Sequence, residues 1–321
     1  MKSMKSPSQL TVLQADSRYC HHEVASQLIG GGIRLHYWWE SARTNALWAT
    51  RHGYRHRLYC LEEPCEHETA GRLFTAWCKL RALTHAISAR GKTSSQPTLL
   101  LYLDSDAFWH HAEERVERVL REFVPSADWN VRGANAVSAF FGCNLPWKSE
   151  DRGRRVWNSS MVNAARGPPN DGVMLFHETA ATRELLRAWW AMAGTSPRWN
   201  HRFAWEQSAL WELWSQQPAL ARRMRVLYDE QRGECMRTMD PEHPSPIVHV
   251  AGGMLPPARR EARLDALGLR RNHTTAWTTC LTRLASARDP SRTAECPAQR
   301  LDVTADGKVV LGSCGTCLEP R

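Results

Sequence analysis

The sequence predicts an α/β protein with a mostly parallel central sheet flanked by helices. Two observations carry that expectation. Short β-prone runs alternate with amphipathic stretches in the order strand, helix, strand, helix, strand, which suits parallel strands joined by right-handed crossovers. Leu99-Leu100-Leu101-Tyr102-Leu103 is apolar without a break and too short for a globular helix, so it reads as a strand buried on both faces. That run leads into Asp104-Ser105-Asp106. A buried strand does not tolerate bare carboxylates in its middle, so the pair belongs at the C-terminal end, where ligands bind in open α/β sheets.

The elements follow in chain order. Residues 1–9 are polar and basic and are expected to be disordered. Residues 10–14 form a first strand. Gly30-Gly31-Gly32 marks a turn and lacks the Gly-Lys-Ser/Thr ending of a phosphate loop. Residues 41–52 read as a helix with Ser41 as its N-cap and Gly53 as its stop. Residues 57–61 are a second strand, and residues 71–90 a long amphipathic helix carrying Trp77 and Lys79. After the Asp-Ser-Asp strand come a helix over 113–123 and a loop-rich insertion over 125–169 with one strand near 140–144. Asn170-Asp171-Gly172 is a turn signal, followed by the strand-like Val173-Met174-Leu175-Phe176. Helices are expected over 182–192 and from Trp205 onward, then strands over 225–228 and 247–250. His249 is expected at the end of a late strand of the same sheet. Past residue 260 an Arg- and Ala-rich helix precedes a small Cys-containing extension with a hairpin-like stretch over 303–311. The chain thus divides into a disordered 1–9, a main domain over 10–260 and an extension over 261–321.

Composition narrows the function classes. The 321 residues are 42% hydrophobic, enough for a sizeable core. Fifteen tryptophans supply rings for that core and for a groove, where flat faces meet sugars or bases. The net charge of +9 favours an anionic ligand, or is simply a basic surface. The basic residues are scattered and accompany no nucleic-acid motif, so no nucleic-acid partner is expected. No apolar run is long enough for a membrane span. Four of the ten cysteines, Cys280, Cys296, Cys314 and Cys317, cluster late in the chain and suggest disulfides in an oxidising compartment. Cys314-Gly-Thr-Cys317 also has the spacing of half a zinc site or a redox pair. Asn158-Ser159-Ser160 and Asn272-His273-Thr274 are N-glycosylation acceptor triplets.

Six fragments then agree with one family in the same order. They are Asn45, Ala49 and His52-Gly53-Tyr54; Trp77 with Lys79; Leu103 to Ala107; Asn170-Asp171-Gly172 with Leu175-Phe176; Glu206-Gln207-Ser208-Ala209-Leu210; and Val248-His249-Val250-Ala251-Gly252. Over about residues 10–255 the chain resembles the GT-A-fold retaining glycosyltransferases that include fungal α-galactosyltransferases, mannan polymerase subunits and plant xyloglucan α-xylosyltransferases. It departs from them in having Gly253 where a Cys is usual and in lacking their N-terminal membrane anchor. The 125–169 insertion and the Cys-rich tail have no counterpart.

The resemblance implies a metal-dependent transfer of a hexose or pentose from a UDP- or GDP-sugar to a glycan or glycoprotein acceptor, with retention. It implies Mn²⁺ or Mg²⁺ held by Asp104, Asp106 and His249, and donor contacts from Asp104, Ser105, Asp106, Lys79 and Asn170. Carboxylate oxygens suit such hard cations, which keep positions open for phosphate oxygens. It places Glu206, Gln207 and Asp171 at the reaction: Gln207 to stabilise an oxocarbenium-like centre, Glu206 to orient an acceptor hydroxyl, Asp171 to bond sugar hydroxyls. Each has a plainer reading: Asp104 and Asp106 as a strand end, His249 as a packed histidine, Glu206 as a first-turn acid favoured by the helix dipole, Asn170 and Asp171 as turn residues, Lys79 on a solvated helix face. The implied setting is the Golgi or secretory lumen, with membrane association only through an anchor missing from this chain, and a homo-oligomer is compatible with it. Two other classes compete. A haloacid-dehalogenase-like phosphohydrolase also places Asp-x-Asp after an apolar strand, but needs a late acidic pair not evident here. A non-catalytic carbohydrate-binding relative would keep the fold alone.

Overall fold

The computed structural model describes residues 10–20, 26–29, 32–35, 37–61, 64–88, 98–123, 137–143, 169–201, 204–229, 234–236, 246–249, 298–303 and 309–311. In chain order the strands are β1 (Leu10–Asp16), β2 (Ser26–Ile29), β3 (Gly32–Leu35), β4 (Arg55–Leu61), β5 (Cys65–His67), β6 (Gly71–Leu73), β7 (Leu99–Leu103), β8 (Ala107–Trp109), β9 (Ala139–Cys143), β10 (Pro169–His177), β11 (Met224–Val226), β12 (Tyr228–Asp229), β13 (Glu234–Cys235), β14 (Ile247–His249), β15 (Ala298–Val303) and β16 (Val309–Leu311). The helices are α1 (Tyr37–Arg51), α2 (Lys79–Ser88), α3 (Val116–Phe123), α4 (Ala180–Met192), α5 (Arg198–His201), α6 (Trp205–Gln216) and α7 (Pro218–Ala221).

Eight strands form the central sheet in the order β11-β9-β10-β7-β1-β4-β15-β16. Six run the same way; β10 and β16 run against their neighbours. The expected α/β class with a mostly parallel sheet flanked by helices is the one observed. The hairpin-like stretch expected over 303–311 is part of a longer antiparallel pair, β15 and β16, whose first strand starts at Ala298 and adds to this sheet beside β4.

The unbroken apolar run behaves as its composition requires. All five residues of β7 are buried. Leu99, Leu101 and Leu103 pack on one face with Trp48, Trp109, Val173 and Leu175, and Leu100 and Tyr102 pack on the other with Leu83, Phe141, Met174 and Trp189. Helices thus cover both faces, leaving the strand ends as the place for polar chemistry.

Four local expectations need correction. Helix α1 begins at Tyr37, and Ser41 lies inside it, buried, donating to Ala107 O at 2.7 Å rather than capping. Gly53 does end the segment, with φ 72. The long helix over 71–90 is instead a β5–β6 hairpin, a 3-10 turn (Thr75–Cys78) and the shorter α2. Gly71 takes φ 69 in that hairpin, and a Cys65–Cys78 disulfide ties its first strand to the turn. The apolar spacing of Leu73, Trp77 and Leu80 imitates a helix because all three face one core. Asn170-Asp171-Gly172 is no reversal: it lies in β10, where the register against β9 shifts between Asn170 and Met174. Finally, β14 does not join the central sheet. It pairs antiparallel with β8, setting His249 opposite Ala107. The expected disorder of 1–9, both glycosylation triplets, most of the 125–169 insertion and the late cysteines lie outside the described residues.

Candidate functional site

The site forms where β7 ends. Asp104 follows the strand directly, its N–H donating to Gly172 O at 2.8 Å across the antiparallel β10. Ala107 N donates to Asp104 O at 2.9 Å, so the Asp-Ser-Asp segment closes as a tight turn into β8. Helix α1 holds β8 from outside: Asn45 Nδ2 donates to Ala107 O at 2.9 Å, and Trp109 N donates to Asn45 Oδ1 at 2.8 Å. Because β14 pairs with β8 in that register, His249 arrives one residue beyond Asp106. A late histidine therefore reaches the site through a separate two-stranded ribbon rather than along the main sheet.

Asp104, Asp106 and His249 offer ligand atoms all within 4.8 Å of one another. His249 Nε2 lies 3.0 Å from Asp106 Oδ1 and 3.8 Å from Asp104 Oδ2. The other ring nitrogen, Nδ1, donates to Asn170 Oδ1 at 3.2 Å, and that oxygen also accepts from Gly172 N at 3.0 Å. Asn170 thereby leaves Nε2 turned towards the carboxylates. Gly172 is needed for a different reason than turning: a Cβ there would stand 2.2 Å from His249 Cε1. Burial pulls the His249 imidazolium down, but Asp106 and Asp104 more than reverse it and raise its pKa.

Lys79 sits on the other side of Asp104. It was open to sequence reading as a solvated lysine; instead its side chain is buried at the first position of α2. Its Nζ lies 2.9 Å from Glu206 Oε1, 3.1 Å from Asp171 Oδ2 and 3.5 Å from Asp104 Oδ1. Burial alone would lower the ammonium, and the three carboxylates outweigh it, raising its pKa well above the ordinary value. Burial pushes Asp171 upward; Lys79 opposes that, and Glu206 and Asp104 reinforce it. Glu206, the second residue of α6, is buried, and its Oε2 has no hydrogen-bond partner among the described residues. Gln207 Oε1 accepts from Asp171 N at 3.1 Å, so the amide expected near a reacting sugar also fixes the acid beside it.

The structure therefore brings together Asp104, Asp106, His249, Asn170, Lys79, Asp171, Glu206 and Gln207. Ser105 turns the opposite way. Its Oγ donates to Asp16 Oδ2 at 2.5 Å and accepts from Arg18 Nη2 at 2.6 Å. Asp16, Arg18, Gln14 and Tyr102 are polar residues of the site that sequence reasoning missed. Tyr102 OH donates to Asp104 Oδ1 at 2.7 Å, and Gln14 Nε2 donates to Asp104 O at 3.2 Å. A signal for Asp16 was present: it is a carboxylate at the end of an apolar strand, like Asp104, and β1 pairs directly with β7. Arg259 and Arg260, which follow the late strand in sequence, lie outside the described residues.

No protein-family model and no curated relative matches the chain. Among solved structures it is similar to a glycosyltransferase involved in glycosylation of the major capsid of PBCV-1, at 18% identity and TM-score 0.48, covering 79% of this chain and 98% of that one. It is similar to the galactosyltransferase LgtC, solved with donor and acceptor sugar analogs, at 12% identity and TM-score 0.44, covering 84% and 99%. It is also similar to mouse xyloside xylosyltransferase 1, at 10% identity and TM-score 0.34, covering 68% and 84%. These neighbours are glycosyltransferases, but at such identities and TM-scores the roles of the residues rest on their own geometry.

Proposed function

We propose that the protein is a metal-dependent glycosyltransferase that moves a hexose or pentose from a nucleotide-diphosphate sugar to a glycan or glycoprotein acceptor. The observation that carries this is the convergence of Asp104, Asp106 and His249 beside a buried Lys79–Asp171–Glu206 cluster. Two carboxylates and an imidazole suit Mn²⁺, and also Mg²⁺, and three protein donors leave positions for substrate oxygens. When bound, such an ion is a Lewis acid for the departing diphosphate.

The chain's own residues supply the rest. Asn170 holds His249 by its Nδ1–H. Lys79 keeps Asp171 and Glu206 together and compensates their charge. Glu206 Oε2, buried with no partner among the described residues, is the hydrogen-bond acceptor that this reading assigns to an acceptor hydroxyl. Asp171, fixed by Gln207, faces the same cluster and suits sugar hydroxyls. Retention of configuration follows from the family resemblance alone. A secretory or Golgi lumen is the compartment this reading implies; the Cys65–Cys78 disulfide supports it, and Cys60 and Cys143 are disulfide-bonded too. No helix among the described residues is long and apolar enough to cross a membrane.

The test is Mn²⁺-dependent hydrolysis of nucleotide sugars by the purified chain, lost in Asp106→Ala. A protein that binds no nucleotide sugar in Mn²⁺ would exclude the reading. Turnover of simple phosphate esters would favour the phosphohydrolase instead, although among the described residues Asp104, Asp106 and His249 are the one group able to hold a metal. Nucleotide-sugar binding without turnover would indicate the non-catalytic relative.

A further inference from the structure

Phe74 is a conspicuous side chain in the wrong place for a core residue. It is 43% exposed, one of two large apolar side chains so exposed among the described residues. Its ring stacks on Trp205, with centroids 3.8 Å apart and planes 13° from parallel. Trp205 is partly buried and packs on the core below, so the pair has an anchored inner ring and an open outer one. The loop beneath Phe74 is held firmly. Phe74 N donates to Asn200 Oδ1 at 2.5 Å, and Asn200 Nδ2 donates to Arg72 O at 2.8 Å. The fold thus holds an apolar ring partly in water, braced from below, rather than burying it.

The backbone of Trp205 agrees. Its φ of 32 is the one positive value at a non-glycine among the described residues. A bulky side chain adopts that conformation only when its surroundings enforce it, and such strain concentrates at functional sites. Here it occurs one residue before Glu206, turning the indole towards Phe74 while Glu206 enters the pocket.

Position decides what the ligand is. The two segments that carry the rings meet a second time inside the site. Phe74 precedes the 3-10 turn that leads to Lys79, Trp205 precedes Glu206, and Lys79 Nζ lies 2.9 Å from Glu206 Oε1. A 3-10 turn rises about 2 Å per residue, so Phe74 leaves the backbone roughly 10 Å from Lys79. A flat apolar surface whose two segments run on to Lys79 and Glu206, with a buried Glu206 oxygen that has no partner among the described residues, matches a pyranose: an apolar C–H face and a rim of hydroxyls.

We propose that the Phe74–Trp205 stack is the platform on which a pyranose ring of the acceptor glycan lies, with Glu206 Oε2 accepting from one of its hydroxyls. This rests on the glycosyltransferase reading above and assigns the acceptor side, separate from the Asp104–Asp106–His249 donor side. The experiment uses the full chain with Mn²⁺ and UDP on a printed array of several hundred defined glycans, and UDP binding is measured in parallel by calorimetry. The wild type is expected to retain a subset of glycans. Phe74→Ala should weaken that signal by about tenfold or more, as loss of a stacking face predicts, and Phe74→Tyr should restore it to within about threefold. Glycan retention unchanged in Phe74→Ala, or no glycan retained by a wild type that binds UDP, overturns the platform. A wild type that binds no UDP in Mn²⁺ overturns the glycosyltransferase reading itself.

Discussion

The pocket at the end of β7 holds two groups of acids, and they are neutralised in different ways. Asp171 and Glu206 face Lys79, a cation that is part of the chain and buried with them; their side chains are only 6% and 7% exposed. Asp104 and Asp106 face His249 and are more open, at 26% and 12%. Asp104 belongs to both groups: Oδ1 looks to Lys79 and Tyr102, Oδ2 to His249. The difference teaches how a protein can keep one half of an acidic pocket permanently assembled while leaving the other open to a cation from solution. A buried carboxylate pair stays ionised at little cost only beside a resident cation. A half-open set can wait for a divalent ion, and is then free to use that ion's remaining positions for substrate.

The largest expected effect breaks the resident half. Lys79→Met leaves buried carboxylates without their cation and should cost about 3–5 kcal/mol of stability, the usual result of removing one partner of a buried ion pair. Urea unfolding followed by circular dichroism would measure it. The gap from the wild type should stay about the same when both proteins are measured in saturating Mn²⁺, since the ion stabilises both alike. A gap that closes in Mn²⁺ would mean that the two halves share one charge through Asp104 and are not independent.

Next comes the buttress behind the open half. His56 Nε2 donates to Gln14 Oε1 at 3.1 Å, and Gln14 Nε2 donates to Asp104 O. Burial pushes the His56 pKa down to about 3 from 6.5. The unfolded chain therefore binds a proton that the folded chain refuses, so this group's contribution is present above pH 6.5 and is lost as pH falls towards 3. Acidifying from pH 7 to about 4.5 should cost about 3 kcal/mol from this residue. His56→Gln should flatten that part of the stability–pH curve. An unchanged slope would show that His56 is hydrated or charged in the fold.

A smaller change sharpens the open half. In Gly172→Ala the new Cβ would meet the His249 ring, which must shift away from Asp106. A clash of this kind costs about 1–3 kcal/mol. Mn²⁺ affinity, read by calorimetry, should fall with it, while the Lys79 side of the pocket is untouched. Retained affinity would mean that the imidazole moves without losing its place.

Much of this arrangement was legible in the sequence, for physical reasons that differ residue by residue. The Leu99–Leu103 run announces a strand buried on both faces, and Asp104 its end, because burial and charge are local properties. Lys79 and Glu206 could be named as candidates, but their meeting could not. It depends on α2 starting at Lys79, which follows from a hairpin and a disulfide between residues 13 apart in sequence. His249 could be named as a candidate, and its sheet was misplaced, because a three-residue strand carries no mark of its partner. Gly172 looked like a turn for the opposite reason: a glycine signals permitted conformations, and only the structure shows that this one makes room for a ring. Asp16 was passed over although it ends an apolar strand as Asp104 does, since the strand was read as stopping at Gln14.

The smallest effect on stability is expected at Asp106, and it separates the two halves most cleanly. Asp106→Asn removes the carboxylate nearest His249 Nε2 but also relieves repulsion with Asp104. These changes oppose each other at a partly open site, so the variant without metal should unfold within about 1 kcal/mol of the wild type. The contrast appears on adding Mn²⁺. At a hundredfold excess over its dissociation constant the ion should stabilise the wild type by about 2.7 kcal/mol, because it binds the folded chain alone. The variant should show almost none of that gain. Lys79→Met, for its part, should start far lower and keep most of the Mn²⁺ response, since Asp106 and His249 remain. If Asp106→Asn and Lys79→Met instead lost the metal response together, the pocket would be one charge system, and the resident lysine would be setting the affinity of the open site as well as holding the closed one.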